Sequence, residues 1–232
     1  MSLRRLAVVP ARGGSTRLKN KNVLPLGGKP LVRHMAEAVV QSEAFDEVWI
    51  STDSDIIAAA VGGLGLKRHE RPAEHATTRA TVLDAMLQIV DHTEPFDVFA
   101  YFLPTCPFIT AREIREGAEA LVPEVDSVIS MVEFAETMQL ACRMQGDHVV
   151  PVFDNLTAGL TNSKYLSKYY KPSGAFYMSW WERLRETRNF FLGNVKGVIM
   201  DKAQAVDIND DLDLGYAEAL WNSGRLGERG GR

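Results

Sequence analysis

At 232 residues, 46% hydrophobic and 24% charged, the chain has the composition of a soluble globular protein, with apolar material for one large domain or two small ones. No run approaches the roughly 20 apolar residues that span a bilayer, no signal-type apolar segment opens the chain, and a net charge of −4 argues against a broad cationic face for nucleic acid. The two cysteines, Cys106 and Cys142, sit in neither a zinc motif nor a disulfide framework, so a reducing cytoplasm is the expected compartment.

Charge is unevenly spread. No Asp or Glu precedes Glu37, so residues 1–36 carry +8 and the remainder −12. Leu6 to Pro10 is apolar enough for a buried strand, and the segment Val8 to Asn22 (VVPARGGSTRLKNKN) stops it in a glycine-containing cationic loop. Gly13 and Gly14 remove side chains where backbone N–H groups could approach phosphate oxygens, and Arg12, Arg17, Lys19 and Lys21 surround them with charge. This reads as a site for a compact anionic ligand; the alternative is a solvated basic segment. Gly-Lys-Ser/Thr is missing, so the loop is no P-loop.

Pro30 to Gln41 is expected to be helical, Asp46 to Ser51 a strand, and Thr52-Asp53-Ser54 the N-cap region of a helix over Asp55 to Leu64. A short strand over Gly65 to His69 precedes a helix over Thr77 to His92, with Ala80, Leu83, Leu87 and Val90 at helical spacing. Phe96 to Leu103 is a continuous apolar run, as expected of a strand buried on both faces. A helix over Thr110 to Leu121 and a strand over Val125 to Val132 follow. The alternation predicts an α/β fold, a mainly parallel sheet sandwiched by helices, with ligands outside the carboxyl ends of the strands.

From Glu133 to Lys171 the pieces become short, polar and aromatic-rich, and are expected to leave the sheet as an arm over the active site or against a second subunit, with strands at Leu140 to Gln145 and His148 to Phe153. Gly174 to Ser179 returns to the core. A helix over Trp180 to Asn189, a strand over Val195 to Met200 and a helix over Asp213 to Ser223 close the chain, ahead of a Gly/Arg tail from Gly224 expected to fray. The whole is expected to be one domain, residues 1–232, with 133–171 inserted.

Five aspartates lie between Asp201 and Asp213. In an extended segment Asp207 and Asn209 share a face, so two side-chain oxygens could hold one hard cation such as Mg²⁺. Asp210 and Asp211 are better placed to favour the positive end of the following helix.

These motifs together resemble the cytidylyltransferases that activate acidic nine-carbon sugars, the acylneuraminate cytidylyltransferase family. Pro10-Ala11-Arg12-Gly13-Gly14-Ser15, Lys21-Asn22, Gly28-Lys29-Pro30-Leu31, Thr52-Asp53, Arg71-Pro72-Ala73-Glu74, Leu103-Pro104-Thr105-Cys106-Pro107, Gly174-Ala175-Phe176-Tyr177 and Val206-Asp207-Ile208-Asn209 occur in that family's order over most of the chain. The resemblance implies a nucleotide-diphospho-sugar transferase-like, Rossmann-type fold with a dimerisation excursion, and a homodimer in the cytoplasm. It implies transfer of CMP from CTP to the anomeric hydroxyl of a 2-keto sugar acid, releasing pyrophosphate, with Mg²⁺ as cofactor. Arg12, Lys21 and Asp207 match catalytic positions, and Asp207 and Asn209 the metal-binding ones. Ser15, Gly13, Gly14 and Arg17 would complete the phosphate cradle. Asn22 and Arg71 would contact the nucleotide, with the Ala11 backbone and Ala80 near the base. Thr105 and Ser173 would lie in the sugar half; Phe190 and Phe191 match an aromatic pair lining the sugar's acyl pocket, often from the partner subunit, with core packing the equal alternative.

The departures from the family pattern fall mostly in that sugar half. Leu103 stands where a Gln is usual, Ser163 and Lys164 replace an Arg-Gln pair, Ser173 replaces an Asn, and Asn209 replaces the second acid of an Asp-Ile-Asp motif. CTP use with an altered sugar is therefore expected, another nonulosonate or 3-deoxy-manno-octulosonate. The alternative is a binder of the same fold that has lost turnover. Cys106 is expected to be a buried structural thiol, since direct displacement needs no covalent intermediate. The five histidines form no metal-type spacing.

Overall fold

In the computed structural model, which describes residues 3–15 and 17–226, strand β1 (Arg5–Pro10) is buried on both faces. Ala7 and Val9 enter one apolar cluster and Leu6 and Val8 another, because successive side chains of a strand leave opposite faces. A small ladder of β2 (Pro25–Leu26) and β3 (Lys29–Pro30) turns through Gly27 and Gly28, both at positive φ, into helix α1 (Leu31–Ser42). The chain continues through β4 (Glu47–Thr52), α2 (Asp55–Ala60), β5 (Lys67–Glu70), α3 (Val82–His92), β6 (Val98–Phe102), α4 (Ala111–Ala120) and β7 (Ser127–Glu133). The hairpin β8 (Cys142–Gln145) and β9 (His148–Pro151) then precedes β10 (Tyr170–Trp180), α5 (Trp181–Thr187), β11 (Val195–Ile199) and α6 (Asp211–Asn222).

Seven strands form one sheet in the order β11-β7-β10-β6-β1-β4-β5. Every neighbouring pair is parallel except those of β10, which runs antiparallel to both β6 and β7. The expected mainly parallel sheet is therefore observed, with one reversed central strand, because the chain re-enters from the excursion in the opposite direction. Val32, Met35 and Val39 of α1, Ile57 of α2 and Ile114 of α4 cover one face. Met86 and Ile89 of α3 and Trp181 and Leu184 of α5 cover the other. A third cluster joins Ala217 and Leu220 of α6 to Leu26, Leu31, Phe108 and Ile208, which holds the acidic segment ahead of α6 beside the start of α1.

α2 and α3 fall well short of the lengths the sequence predicts, and α4 and α5 by two or three residues. α3 begins at Val82 rather than Thr77, because Thr81 and Asp84 close a capping box there, and residues 76–81 form a loop instead. α2 stops at Ala60, ahead of Gly62 and a Gly63 at φ 80°. In the excursion, strands occur close to the expected positions, but Val149, Val152 and Tyr165 are 63%, 54% and 85% exposed in the single chain. The tail beyond Leu226 lies outside the described residues. Among the described residues no helix is long and apolar enough to cross a membrane.

Candidate functional site

The strand order reverses between β1 and β6, since β4 and β5 were added on one side of β1 and β6 on the other. A crevice outside the carboxyl ends of strands at such a reversal is where open α/β sheets hold ligands. An open cleft of about 240 Å³ lies there, reached by the loop after β1, the residues after β5 and β6, the loop before α3 and the acidic segment before α6.

The loop after β1 is held by its own backbone polar groups. Ala11 N–H donates to the Ser51 carbonyl at 2.9 Å, extending the β1–β4 ladder by one residue. Gly13 N–H donates to Asp53 Oδ1 at 2.7 Å, and a Cβ at Gly13 would stand 3.2 Å from Ser54 Cβ, so a side chain would crowd the turn. Asn22, buried, donates its amide to the Arg12 carbonyl at 2.9 Å. The Arg12 guanidinium donates to the Thr77 carbonyl, linking this loop to the one before α3. Asn20, in the left-handed region at φ 55°, turns the chain into the short 3-10 helix that carries Lys21.

Lys21 Nζ donates to the Ile208 carbonyl at 2.8 Å. Burial lowers its pKa, and the charge of Asp207 partly opposes that shift. Arg71, only 8% exposed, is pushed down to about 10 by burial, with Asp53 raising it and Arg12 lowering it, so it stays cationic at neutral pH. Its Nη2 is buried with no hydrogen-bond partner among the described residues. Across the cleft, Ile208 N–H donates to the Thr105 carbonyl at 2.8 Å, fixing the acidic segment to the loop after β6. Asp207 Oδ2 accepts from Asn209 Nδ2 at 2.8 Å, and Asn209 Oδ1 accepts from Arg17 at 3.1 Å. Asp207 Oδ1 is buried and has no hydrogen-bond partner among the described residues.

Arg12, Ser15, Arg17, Lys21, Asn22, Arg71, Ala80, Thr105, Asp207 and Asn209 thus line one cleft, although they come from five separate stretches of sequence. Ala11, Gly13 and Gly14 belong to the same loop but do not wall the cleft; the N–H groups of Ala11 and Gly13 are already engaged. Three expected sugar-side residues are not brought to this cleft. Ser173 is buried, its hydroxyl donating to Ser130 Oγ at 2.7 Å. Phe190 is buried against Tyr101 and Tyr177, with ring centroids at 5.5 and 5.8 Å, and Phe191 is 54% exposed beside Tyr177. Apolar packing took Phe190 into the core. Conversely, His75, Thr81 and Val82 line the cleft without having been singled out, and Asp53 anchors the loop. His75 lies four residues after Arg71 and was legible only as part of that loop.

Among the described residues no group of three or more His, Cys, Asp or Glu side chains is arranged to hold a metal. The Asp207 Oδ1 atom, buried and without a partner among the described residues, fits an ion such as Mg²⁺ that takes few protein ligands and keeps water and phosphate oxygens for the rest. Asp210 and Asp213 form the capping box of α6, and Asp211 lies in its first turn. Cys106 is fully buried, and burial pushes its thiol pKa up.

Residues 6–139 match the sequence signature of the family described as Cytidylyltransferase. The chain is 30% identical to an N-acylneuraminate cytidylyltransferase of Escherichia coli O18:K1:H7 over 91% of its own length but 51% of that relative, so it spans about half of that protein. It is 28% identical to a CMP-N,N'-diacetyllegionaminic acid synthase of Legionella pneumophila, covering 94% of this chain and 96% of that one, and 24% identical to a pseudaminic acid cytidylyltransferase of Campylobacter jejuni, covering 94% and 97%. In fold it is similar to a CMP:2-keto-3-deoxy-manno-octonic acid synthetase solved with CTP, at a TM-score of 0.70 and 18% identity over 95% and 99% of the two chains. It is also similar to a 4-diphosphocytidyl-2C-methyl-D-erythritol synthase of Anaerococcus prevotii, at a TM-score of 0.67 and 14% identity over 94% and 96%. With the signature covering more than half of its length, the chain belongs to the cytidylyltransferase family.

Proposed function

We propose that this protein transfers CMP from CTP to the anomeric hydroxyl of a 2-keto sugar acid. The observation that carries the reading is the convergence of Arg12, Arg17, Lys21 and Arg71 on one cleft that also contains the unpartnered Asp207 oxygen. In the reaction the anomeric oxygen attacks the α-phosphorus, the bond from that phosphorus to the oxygen bridging to the β-phosphorus breaks, and pyrophosphate leaves with the electron pair. The hydroxyl proton passes to a base or to solvent. Negative charge builds on the leaving phosphates, so fixed cations aimed at them are the catalysts such a step needs.

Arg12 and Lys21 hold the triphosphate, with Arg17 and Ser15 beside them and Arg71 toward the nucleoside. Asp207 would hold Mg²⁺, which when bound would add positive charge at the phosphates. Ala80 stands on the cleft wall near the base, and the Ala11 N–H, spent on the Ser51 carbonyl, is not free to donate to it. The relatives act, by their names, on N-acylneuraminate, diacetyllegionaminate and pseudaminate, and this chain places apolar Leu103 on the cleft wall, which favours a sugar acid that needs no hydrogen bond there. Pyrophosphate release from CTP across a panel of 2-keto sugar acids, 3-deoxy-manno-octulosonate included, tests the reading. Release with one nonulosonate supports it; CTP binding with no release for any member would make the protein a binder instead.

The chain acts as a homodimer in this reading, and residues 133–171 form the contact. Met144 and Val149, paired across the β8–β9 hairpin, and Val152 and Tyr165 expose large apolar side chains on this excursion, as a subunit contact would use. Light scattering on the purified protein separates a mass of two chains from one of 25.7 kDa. Two free thiols suit the cytoplasm.

A further inference from the structure

We infer that Asn209 is a positioning residue that aims Asp207 and couples it to Arg17, so that the cleft takes one divalent cation through Asp207 with the Arg17 guanidinium as a neighbouring positive centre; this rests on the CTP-binding role proposed above. The orientation of the amide follows from its partners. Asp207 Oδ2 can only accept and Arg17 can only donate, so Nδ2 must face the first and Oδ1 the second. The amide contact sets the two oxygens of the Asp207 carboxylate apart. Oδ2 accepts from the amide, and Oδ1 is left buried with no hydrogen-bond partner among the described residues.

The backbone around Asn209 allows the side chain little freedom to do anything else. Asn209 N–H donates to Asp213 Oδ2 at 2.8 Å, within the capping box that starts α6. The preceding residue, Ile208, is fully buried, its N–H held by Thr105 and its carbonyl by Lys21. An ionised carboxylate at position 209 could accept from Arg17 but could not donate to Asp207; it would set two acceptors of like charge against each other. The side-chain oxygen of Asn209, which sequence reasoning offered to a metal, is engaged by Arg17. Its amide instead ties the cationic loop after β1 to the acidic segment before α6, residues 192 positions apart in sequence.

The test is Mn²⁺ binding followed by electron paramagnetic resonance, with the protein saturated by a CTP analogue carrying a non-cleavable α,β-methylene bridge. The wild type is expected to bind one Mn²⁺ beyond that held by the free analogue. Asn209→Ala should weaken that binding about tenfold, and Asn209→Asp should make it no tighter, with one ion still bound; thermal melting confirms that both variants fold. Unchanged affinity in Asn209→Ala, tighter binding or a second Mn²⁺ in Asn209→Asp, or no Mn²⁺ in the wild type would overturn the assignment. Metal-free binding of the analogue, measured by calorimetry, reports separately on the triphosphate cleft: its loss in the wild type would count against the proposed function, whereas a failure confined to Mn²⁺ would count only against Asn209.

Discussion

Gly13 N–H donates to the Asp53 carboxylate at 2.7 Å, so the residue that follows β4 pins the loop that follows β1. Asp53 also stabilises the charge of the buried Arg71. Asp53→Ala should cut CTP affinity about tenfold or more by calorimetry. It should lower stability in urea by about 0.5–1.5 kcal/mol, the usual net worth of one hydrogen bond, since Asp53 is exposed and Gly13 only half-buried. Asp53→Asn keeps an acceptor for Gly13 and should recover part of both losses. Wild-type CTP affinity in Asp53→Ala would show that the loop does not depend on this anchor.

Arg12→Ala removes a cation from the cleft together with the link to the Thr77 carbonyl. Turnover should fall by about 10²–10³ in kcat/KM, as when one preorganised charge-stabilising donor is lost. The melting temperature should move by only a few degrees, because Arg12 is partly exposed and lies outside the three apolar clusters. Steady-state kinetics beside a melting curve give both numbers.

Cys106 lies in the core beneath the cleft, its thiol 3.6 Å from the Ser173 carbonyl and its pKa raised by burial, whereas Cys142 is exposed. Iodoacetamide on the native protein should leave Cys106 intact until the chain is unfolded and should modify Cys142 faster, the more so where any dimer is dissociated. Peptide mass spectrometry reads the two sites directly. Equal rates at both would contradict the burial of Cys106.

His69 stacks on Trp49, with ring centroids 6.1 Å apart, and its Nδ1 lies 3.1 Å from Ser51 Oγ. Burial, and next the Arg71 charge, hold its pKa below the ordinary 6.5. In the window between the folded value and 6.5 the unfolded chain binds more protons than the folded one, so stability rises with pH there. Acidification from 6.5 should therefore weaken the fold until pH drops below the folded value, where the dependence flattens. Urea titrations at stepped pH should show this slope in the wild type and a shallower one in His69→Gln.

The sheet was legible in the sequence because its strands are continuous apolar runs, as in Phe96 to Leu103, and the cationic loop because no acid precedes Glu37. Helix starts were less so: Ala80 matched the helical period of α3, yet the capping box at Thr81 made it part of the cleft wall instead. The reversal of β10 had no local signal, since Gly174 to Ser179 reads as a buried strand in either direction. Ser173 and Phe190 were assigned by motif position, and what decided their places was the Ser130 hydroxyl and the Tyr101–Tyr177 stack, both remote in sequence. The bridge from Arg17 through Asn209 to Asp207 depends on side-chain orientation, which spacing alone does not carry.

The most direct measurement of the central claim is ³¹P NMR of the protein incubated with CTP, Mg²⁺ and each 2-keto sugar acid in turn. Nucleotidyl transfer predicts that, with at least one of them, the three triphosphate resonances give way to one phosphodiester resonance and that of pyrophosphate. Unchanged triphosphate with every sugar acid, or release of inorganic phosphate in place of pyrophosphate, would contradict it.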